Sequence, residues 1–277
     1  MLPESKIISL INEQKNYVVH FIEGQKVVHD LALIHDLRGG GFNYLRDFAL
    51  STLSLIPLLK PKESFGLYID SEVPDFMLKM EMSEFGQFRT LLLPDSITEV
   101  PEKISGKARL SKISPSESAP YNSIISLEEK GLKDVVNSIL TDSYQVKGEV
   151  IVSDSSDQAV FILQLPKHNW DKEEVIAPVP IKEFIKQHKP LLNSIFKRGL
   201  SDSNLISKEF EDSGFFSLMT KEIQFKCSCS YERMAAGIKV LVNSSSVDDI
   251  FLGEDSIETK CDYCKTFYKI PATDFKN

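Results

Sequence analysis

Polar and apolar residues are arranged along the chain with two different periods. From residue 65 a two-residue alternation dominates, as in strands with one buried face. Candidate strands are 65–70 (FGLYID), 75–82 (DFMLKMEM), 86–93 (GQFRTLLL), 106–113 (GKARLSKI) and 121–127 (YNSIISL). Turn formers separate them at Ser71 to Pro74, Pro94-Asp95-Ser96 and Pro115 to Pro120. Two further strands, 146–153 and 158–165, flank the polar turn Asp154-Ser155-Ser156-Asp157. A 3.6-residue period appears at 42–56, where Phe42, Leu45, Ala49, Thr52, Leu53 and Ile56 share one stripe until Pro57 and Pro61 end the helix. A second helix is predicted over 129–140, with Leu132, Val135, Val136, Ile139 and Leu140 on one face. Residues 16–29 read as two short strands about a Glu23-Gly24 turn. Their facing is ambiguous, because Val18, His20 and Ile22 alternate with the equally apolar Val19 and Phe21.

Many strands with few helices predict an α+β fold, with helices on one side of mainly antiparallel sheets. About 165 residues are enough for a proper core, and the N-terminal domain is assigned to 1–170. Strand signals vanish over 171–222. Pro178, Pro180 and Pro190 break this stretch into short helical pieces such as 181–188 and 191–198. It keeps apolar residues, among them Phe184, Leu192, Phe196, Phe215 and Phe216, so it is an amphipathic connector that must lie on something. It reads either as a connector packed on the core or as a segment that docks reversibly. Residues 223–277 form a third unit with a strand-like IQFKC, a helix at 231–242, and strand-like IETKC and TFYKI.

Composition narrows the function. The 277 residues are 42% hydrophobic and 26% charged, which suits a folded chain. Net charge is −8, so no cationic footprint for nucleic acid or anionic lipid is visible. The apolar runs are too short to span a membrane, and the N-terminus lacks a secretory pattern, so a cytoplasmic address is expected.

The cysteines change the picture most. All four, Cys227, Cys229, Cys261 and Cys264, lie in the third unit. A secreted disulfide scaffold would spread them through a small fold. Two close pairs far apart in sequence instead suit a tetrahedral zinc site, with Zn–S near 2.3 Å. A unit of about 55 residues has a marginal core, which bound metal would reinforce. His20, His29, His35, His168 and His188 lie upstream and read as ordinary core or surface residues. The first pair is C-x-C, with Ser228 between, where an ordinary zinc ribbon has C-x-x-C. Zinc holds its cysteines as thiolates, and an oxidant that converts them to disulfides ejects the metal. The pattern can therefore be a redox switch read out as unfolding.

At these residues the chain resembles the redox-regulated heat-shock chaperones of the HslO family, the thirty-three-kilodalton heat shock proteins. The resemblance lies in Phe225-Lys226-Cys227-Ser228-Cys229-Ser230-Tyr231-Glu232-Arg233 and in Glu258-Thr259-Lys260-Cys261-Asp262-Tyr263-Cys264 followed by Tyr268. It extends more weakly to Asn16-Tyr17-Val18-Val19, Ser143-Tyr144-Gln145 and Gln164-Leu165-Pro166. The chain departs from the family at Ser71-Glu72-Val73-Pro74, at Glu117-Ser118-Ala119-Pro120-Tyr121, and at Lys265, where a glycine often follows the last cysteine. The resemblance implies an ATP-independent holdase, inactive while reduced and bound to one zinc ion. Oxidation would form Cys227–Cys229 and Cys261–Cys264 disulfides and release zinc. The zinc domain (223–277) and a metastable connector (171–222) would unfold. The protein would form a homodimer and capture unfolded clients. The client-binding residues are not identified by it.

Two other classes were weighed. A structural zinc ribbon binding nucleic acid or a protein partner is disfavoured on the nucleic-acid side, because residues 223–277 carry seven Lys/Arg against eight Asp/Glu. An enzyme is not expected. Cys261-Asp262-Tyr263-Cys264 precedes a strand and not the helix of a thioredoxin-like motif, and four cysteines leave zinc no open position. Gly39-Gly40-Gly41 before a helix could cradle an anion but reads better as a flexible loop. Trp170 is expected to pack at the junction of domain and connector.

Overall fold

The fold opens with a hairpin of β1 (Lys6–Asn12) and β2 (Tyr17–Glu23), in a computed structural model that describes residues 2–166 and 179–275. β2 is buried along its whole length, which resolves its ambiguous facing: both faces are covered. Ile22 joins one apolar cluster, while Tyr17, Val19 and Phe21 join another. The second strand expected over 25–29 is instead part of helix α1 (Gln25–Ile34). Val27, Val28 and Leu31 form its buried stripe, so burial overrides the β preference of the valine pair.

Helix α2 (Gly40–Leu53) matches the predicted period, buries Leu45, Phe48, Ala49 and Leu53, and is followed by a short 3₁₀ turn. The three glycines form neither an anion cradle nor a flexible loop: Gly39 caps the helix, and Gly40 and Gly41 are its first two residues. The Gly40 N–H donates to the Thr98 carbonyl at 2.9 Å, and a Cβ on Gly41 would lie 2.1 Å from the Ile97 carbonyl oxygen. The glycines let another backbone segment lie directly on the helix start.

Strands β3 (Ser64–Val73), β4 (Asp75–Ser83), β5 (Gln87–Leu93), β6 (Ile104–Ile113) and β7 (Tyr121–Lys130) follow close to their predicted places. Helix α3 (Leu132–Ser138) ends in a π turn, and β8 (Gly148–Val152) pairs with β9 (Gln158–Gln164).

The proline-broken stretch differs from its reading. Helix α4 (Ile181–Arg198) runs unbroken through Pro190. Its buried residues Phe184, His188, Leu192, Ile195 and Phe196 make one stripe, while Pro190 and Lys186 face solvent. The Lys186 carbonyl that loses its partner to proline is thus on the wet side, and the apolar stripe keeps the helix whole. Helix α5 (Ser203–Glu211) starts at Asp202, whose carboxylate accepts the Asn204 and Leu205 N–H groups. Strand β10 (Phe216–Glu222) appears where no strand was predicted. It is exposed along its length, so it carries no burial pattern and is held by pairing with β1. The two-residue β11 (Gln224–Phe225) pairs in parallel with β5.

The strands form a five-stranded sheet, β10-β1-β2-β9-β8, and a six-stranded sheet, β11-β5-β4-β3-β6-β7. All pairings but that of β11 are antiparallel, and the chain is α+β as expected. One apolar cluster draws on both sheets and on α1 to α3, with Ile22, Phe48, Leu67, Leu78, Val135 and Phe161 among its members. The other face of the five-stranded sheet carries a second cluster, rich in aromatic rings and shared with α4 and α5. Tyr17 stacks on Phe184 with ring centroids 3.9 Å apart, and Phe210 meets Phe215 edge-on at 5.4 Å. Such pairs add about 0.5–1.5 kcal/mol each beyond the area they bury. Gln25 and Gln158 side chains donate to the Gly199 and Leu200 carbonyls at 2.9 and 2.7 Å, anchoring the turn after α4. Phe215 is core, whereas its neighbour Phe216 is 63% exposed. Trp170 and His168 lie outside the described residues.

The chain divides into two compact units, Met1–Phe225 and Lys226–Asn277. The smaller contains α6 (Tyr231–Ser244), α7 (Val247–Phe251) and the two-stranded sheet of β12 (Ser256–Lys260) with β13 (Phe267–Pro271). Its fully buried apolar cluster consists of Ile238, Phe251, Ile270 and Ala272.

Candidate metal centre

All four cysteines belong to the smaller unit and come together there. Cys227 and Cys229 lie between β11 and α6, and Cys261 and Cys264 lie on the turn joining β12 to β13. Ser230 caps α6 by accepting the Arg233 N–H on its hydroxyl, so helix initiation fixes the residue after Cys229. The Arg233 guanidinium then turns back to donate to the Ser228 carbonyl at 2.9 Å and hydroxyl at 2.7 Å. The turn carrying the second pair is closed by the Cys261 N–H on the Thr266 carbonyl at 2.9 Å and the Lys265 N–H on the Cys261 carbonyl at 2.8 Å. Lys265 sits at φ 59°, in the left-handed region that glycine enters most easily. That is a physical reason for a glycine after the last cysteine, and this chain places a lysine there.

The four sulfurs all lie within 4.8 Å of one another. Cys227 Sγ is 3.7 Å from Cys261 Sγ, and Cys229 Sγ is 3.2 Å from Cys264 Sγ. A tetrahedron with metal–sulfur bonds of about 2.3 Å has edges of about 3.8 Å, so the donor set fits a tetrahedral thiolate site. The group could hold a metal ion. It is the one cluster of three or more Cys, His, Asp or Glu side chains among the described residues able to do so.

Without a metal the surroundings act unequally on the thiols, raising Cys229 and Cys261 and lowering Cys264. Burial raises the Cys261 thiol, and the backbone N–H groups of Cys264 and Tyr263 oppose that rise. Burial also raises Cys264, but the hydroxyl and N–H of Thr266 outweigh it and bring this thiol down to about 7. Cys229 is pushed up to about 12, first by burial, while the Tyr268 hydroxyl at 3.1 Å pulls the other way. Tyr268 is itself pushed up to about 12, chiefly by that hydrogen bond, so it remains a donor.

The cysteine pattern points to its ligands but not to their supports. Arg233, Thr266 and Tyr268 act through the folded turns. The signal for Tyr268 was its place in TFYKI: it and Ile270 share a strand face, and Ile270 is fully buried. Among the described residues the upstream histidines are not part of the cluster. His20 bonds to Ser9 at 2.8 Å within the sheet, and the His188 Nδ1–H donates to the Phe184 carbonyl at 2.8 Å.

Known proteins place the chain. The family model described as Hsp33 protein matches residues 5–271. The 33 kDa chaperonin of Shewanella frigidimarina is 26% identical over 168 residues, covering 58% of this chain and 54% of that protein. The 33 kDa chaperonin of Salmonella typhi is 25% identical over 168 residues, covering 58% and 55%. The matched region thus spans about half the length of these curated relatives. The crystal structure of the 33 kDa chaperonin (heat shock protein 33 homolog) from Thermotoga maritima superimposes with a TM-score of 0.71 at 16% identity, over 98% of this chain and 95% of that one, a likeness of fold. With a family model matched from the first strand to the last, over a fold of the same kind, the chain belongs to the Hsp33 family.

Proposed function

We propose that this protein is a redox-regulated, ATP-independent holdase whose switch is the four-cysteine centre. The observation that carries the reading is the set of four sulfurs at tetrahedral spacing inside a unit whose buried apolar cluster is only four residues. Zinc, bound by Cys227, Cys229, Cys261 and Cys264, would supply folding free energy that so small a core cannot.

Oxidation removes the ligands. A cysteine thiolate attacks a peroxide oxygen, forming a sulfenic acid and releasing hydroxide. The neighbouring sulfur attacks that sulfenic acid, the S–S bond forms, and a second hydroxide leaves. Each pair gives up two electrons and the peroxide takes them. The pairing proposed is Cys227–Cys229 and Cys261–Cys264, neighbours in sequence. Disulfide sulfur is a poor ligand, so zinc departs and the smaller unit loses its fold.

The connector supplies the second half. Phe184, Phe196 and Phe210 lie against the aromatic residues of β2, and Phe215 packs on Phe184 and Phe210. Release of α4 and α5 would expose these rings together with the sheet face beneath, an apolar surface suited to unfolded clients. Oxidised chains would pair as homodimers. Among the described residues no helix is long and apolar enough to cross a membrane, and the proposed site of action is the bacterial cytoplasm. No catalytic residue is assigned, and a client-holding role needs none.

The test is light scattering from a chemically unfolded client diluted into the zinc-loaded reduced protein or the peroxide-treated, metal-free protein, without ATP. Suppression of aggregation by the oxidised form alone is the expected result. No suppression by either form would overturn the chaperone reading, and equal suppression by both would overturn the switch.

A further inference from the structure

The two cysteine pairs meet hydrogen-bond donors in different ways. In the C-x-x-C turn the backbone folds back on its own sulfurs. The N–H groups of Tyr263 and Cys264 reach Cys261, and the N–H of Thr266 reaches Cys264, with the Thr266 hydroxyl 3.3 Å away. The C-x-C turn is one residue shorter. Its middle residue, Ser228, is tied down by Arg233 instead. Cys229 takes its donor from the opposite side of the site, the Tyr268 hydroxyl at 3.1 Å. Tyr268 stands opposite Thr259 in the β12–β13 pair, and its ring packs against the cluster of Ile238, Phe251 and Ile270. Strand register and packing fix the ring, and the ring fixes the hydroxyl.

We infer that Tyr268 is a positioning residue of the metal centre, its phenolic O–H holding the Cys229 thiolate in place and, from across the site, drawing charge from it. The inference rests on the metal reading above and adds a residue outside the four ligands. Hydrogen bonds of this kind spread the charge that four thiolates concentrate on one divalent ion. Losing such a partner typically weakens metal binding by about 10–100-fold.

Cobalt(II) titrated into the reduced, metal-free full chain reads both parts separately. The wild-type protein is expected to show thiolate-to-cobalt charge-transfer bands of a tetrahedral site. Tyr268→Phe keeps the ring and removes the hydrogen bond. It should move those bands to longer wavelength and weaken binding by about tenfold or more. Thr266→Val should do less, because Cys264 keeps the Thr266 N–H. Unchanged bands and affinity in Tyr268→Phe would overturn the role of the hydroxyl and leave the metal site standing. Weaker binding with unmoved bands would mean that the hydroxyl does not draw charge from Cys229, and would overturn the inference equally. Absence of the bands from the wild-type protein would overturn the metal reading itself.

Discussion

The two units are stabilised by different means. In Met1–Phe225 two sheets and five helices share large apolar clusters, and the five-stranded sheet is covered on both faces. In Lys226–Asn277 the fully buried cluster is four residues and much of α6 is exposed, including Val240 and Leu241. Burial of apolar area grows with domain size, and a unit this small falls below what packing alone sustains. The first unit is therefore a scaffold held by many weak contacts that no single event removes. On the proposed reading the second depends on one concentrated interaction at the four cysteines, which oxidation would delete in a step. Sensitivity follows from having few contacts.

The largest expected effect breaks the second unit and spares the first. Structural zinc contributes about 10–16 kcal/mol in small domains. Chelation of the reduced protein, or Cys261→Ser, should remove amide protection from α6, β12 and β13. Hydrogen exchange should show both large sheets unchanged. Protection persisting in α6 after chelation would mean the small core suffices.

Next in size is the aromatic seam on β2. Phe184→Ala empties a site that is fully buried between Tyr17 and Phe215, at a cost of about 3–5 kcal/mol. Because those contacts belong to α4 and not to the sheet pairing, protection should fall over 181–211 while β2 and β9 keep theirs. Metal content should not change. Uniform loss of protection would show that the connector and sheets open as one unit.

Glu23 sharpens the comparison from inside the first unit. It is 1% exposed, and burial raises its carboxyl to about 7, against the N–H of Gln25 and with Asp157 adding to the rise. One carboxyl oxygen has no hydrogen-bond partner. The folded group holds its proton up to about 7, whereas the free chain releases it near 4.5, so stability present below pH 4.5 is lost as pH climbs through about 7. Glu23→Gln should be close to neutral at pH 5 and stabilising by about 1–3 kcal/mol at pH 8, measured by urea unfolding. An equal effect at both pH values would contradict this.

The smallest effect is at Lys265. Its left-handed backbone costs a non-glycine residue about 1 kcal/mol, so Lys265→Gly should tighten the metal-loaded small unit by up to that amount. Slower cobalt loss to a chelator is the measurement, and faster loss would count against the strain argument.

What could be read from the sequence depended on whether burial leaves a periodic trace. β3 to β6 alternate because one face meets the core, and their places were legible. β1 and β2 are covered on both faces, so the alternation that signals a strand is filled in. β10 is exposed on both faces and leaves no trace at all. α4 was split in the reading because Pro190 is a local signal, while the stripe from Phe184 to Phe196 that overrides it is a tertiary one. The cysteine cluster was the most legible feature, since two close pairs mark a donor set of metal-binding type whatever fold brings them together. Tyr268 and Arg233 were not, because their roles depend on the turns that cysteine spacing only implies.

The stretch from β10 to β11 has a consequence in time. Its seven-residue strand completes the five-stranded sheet against β1, and two residues later it enters the six-stranded sheet against β5. Ile223 between them is buried. Both partners come from the first hundred residues, so these are among the longest-range pairings of the first unit, and loop closure makes such pairings slow. During synthesis both sheets stand with an open edge until residue 225 has left the ribosome. The last stitch of the first unit is therefore tied only two residues before Cys227, and the chain finishes its first unit just as the cysteine-bearing one begins.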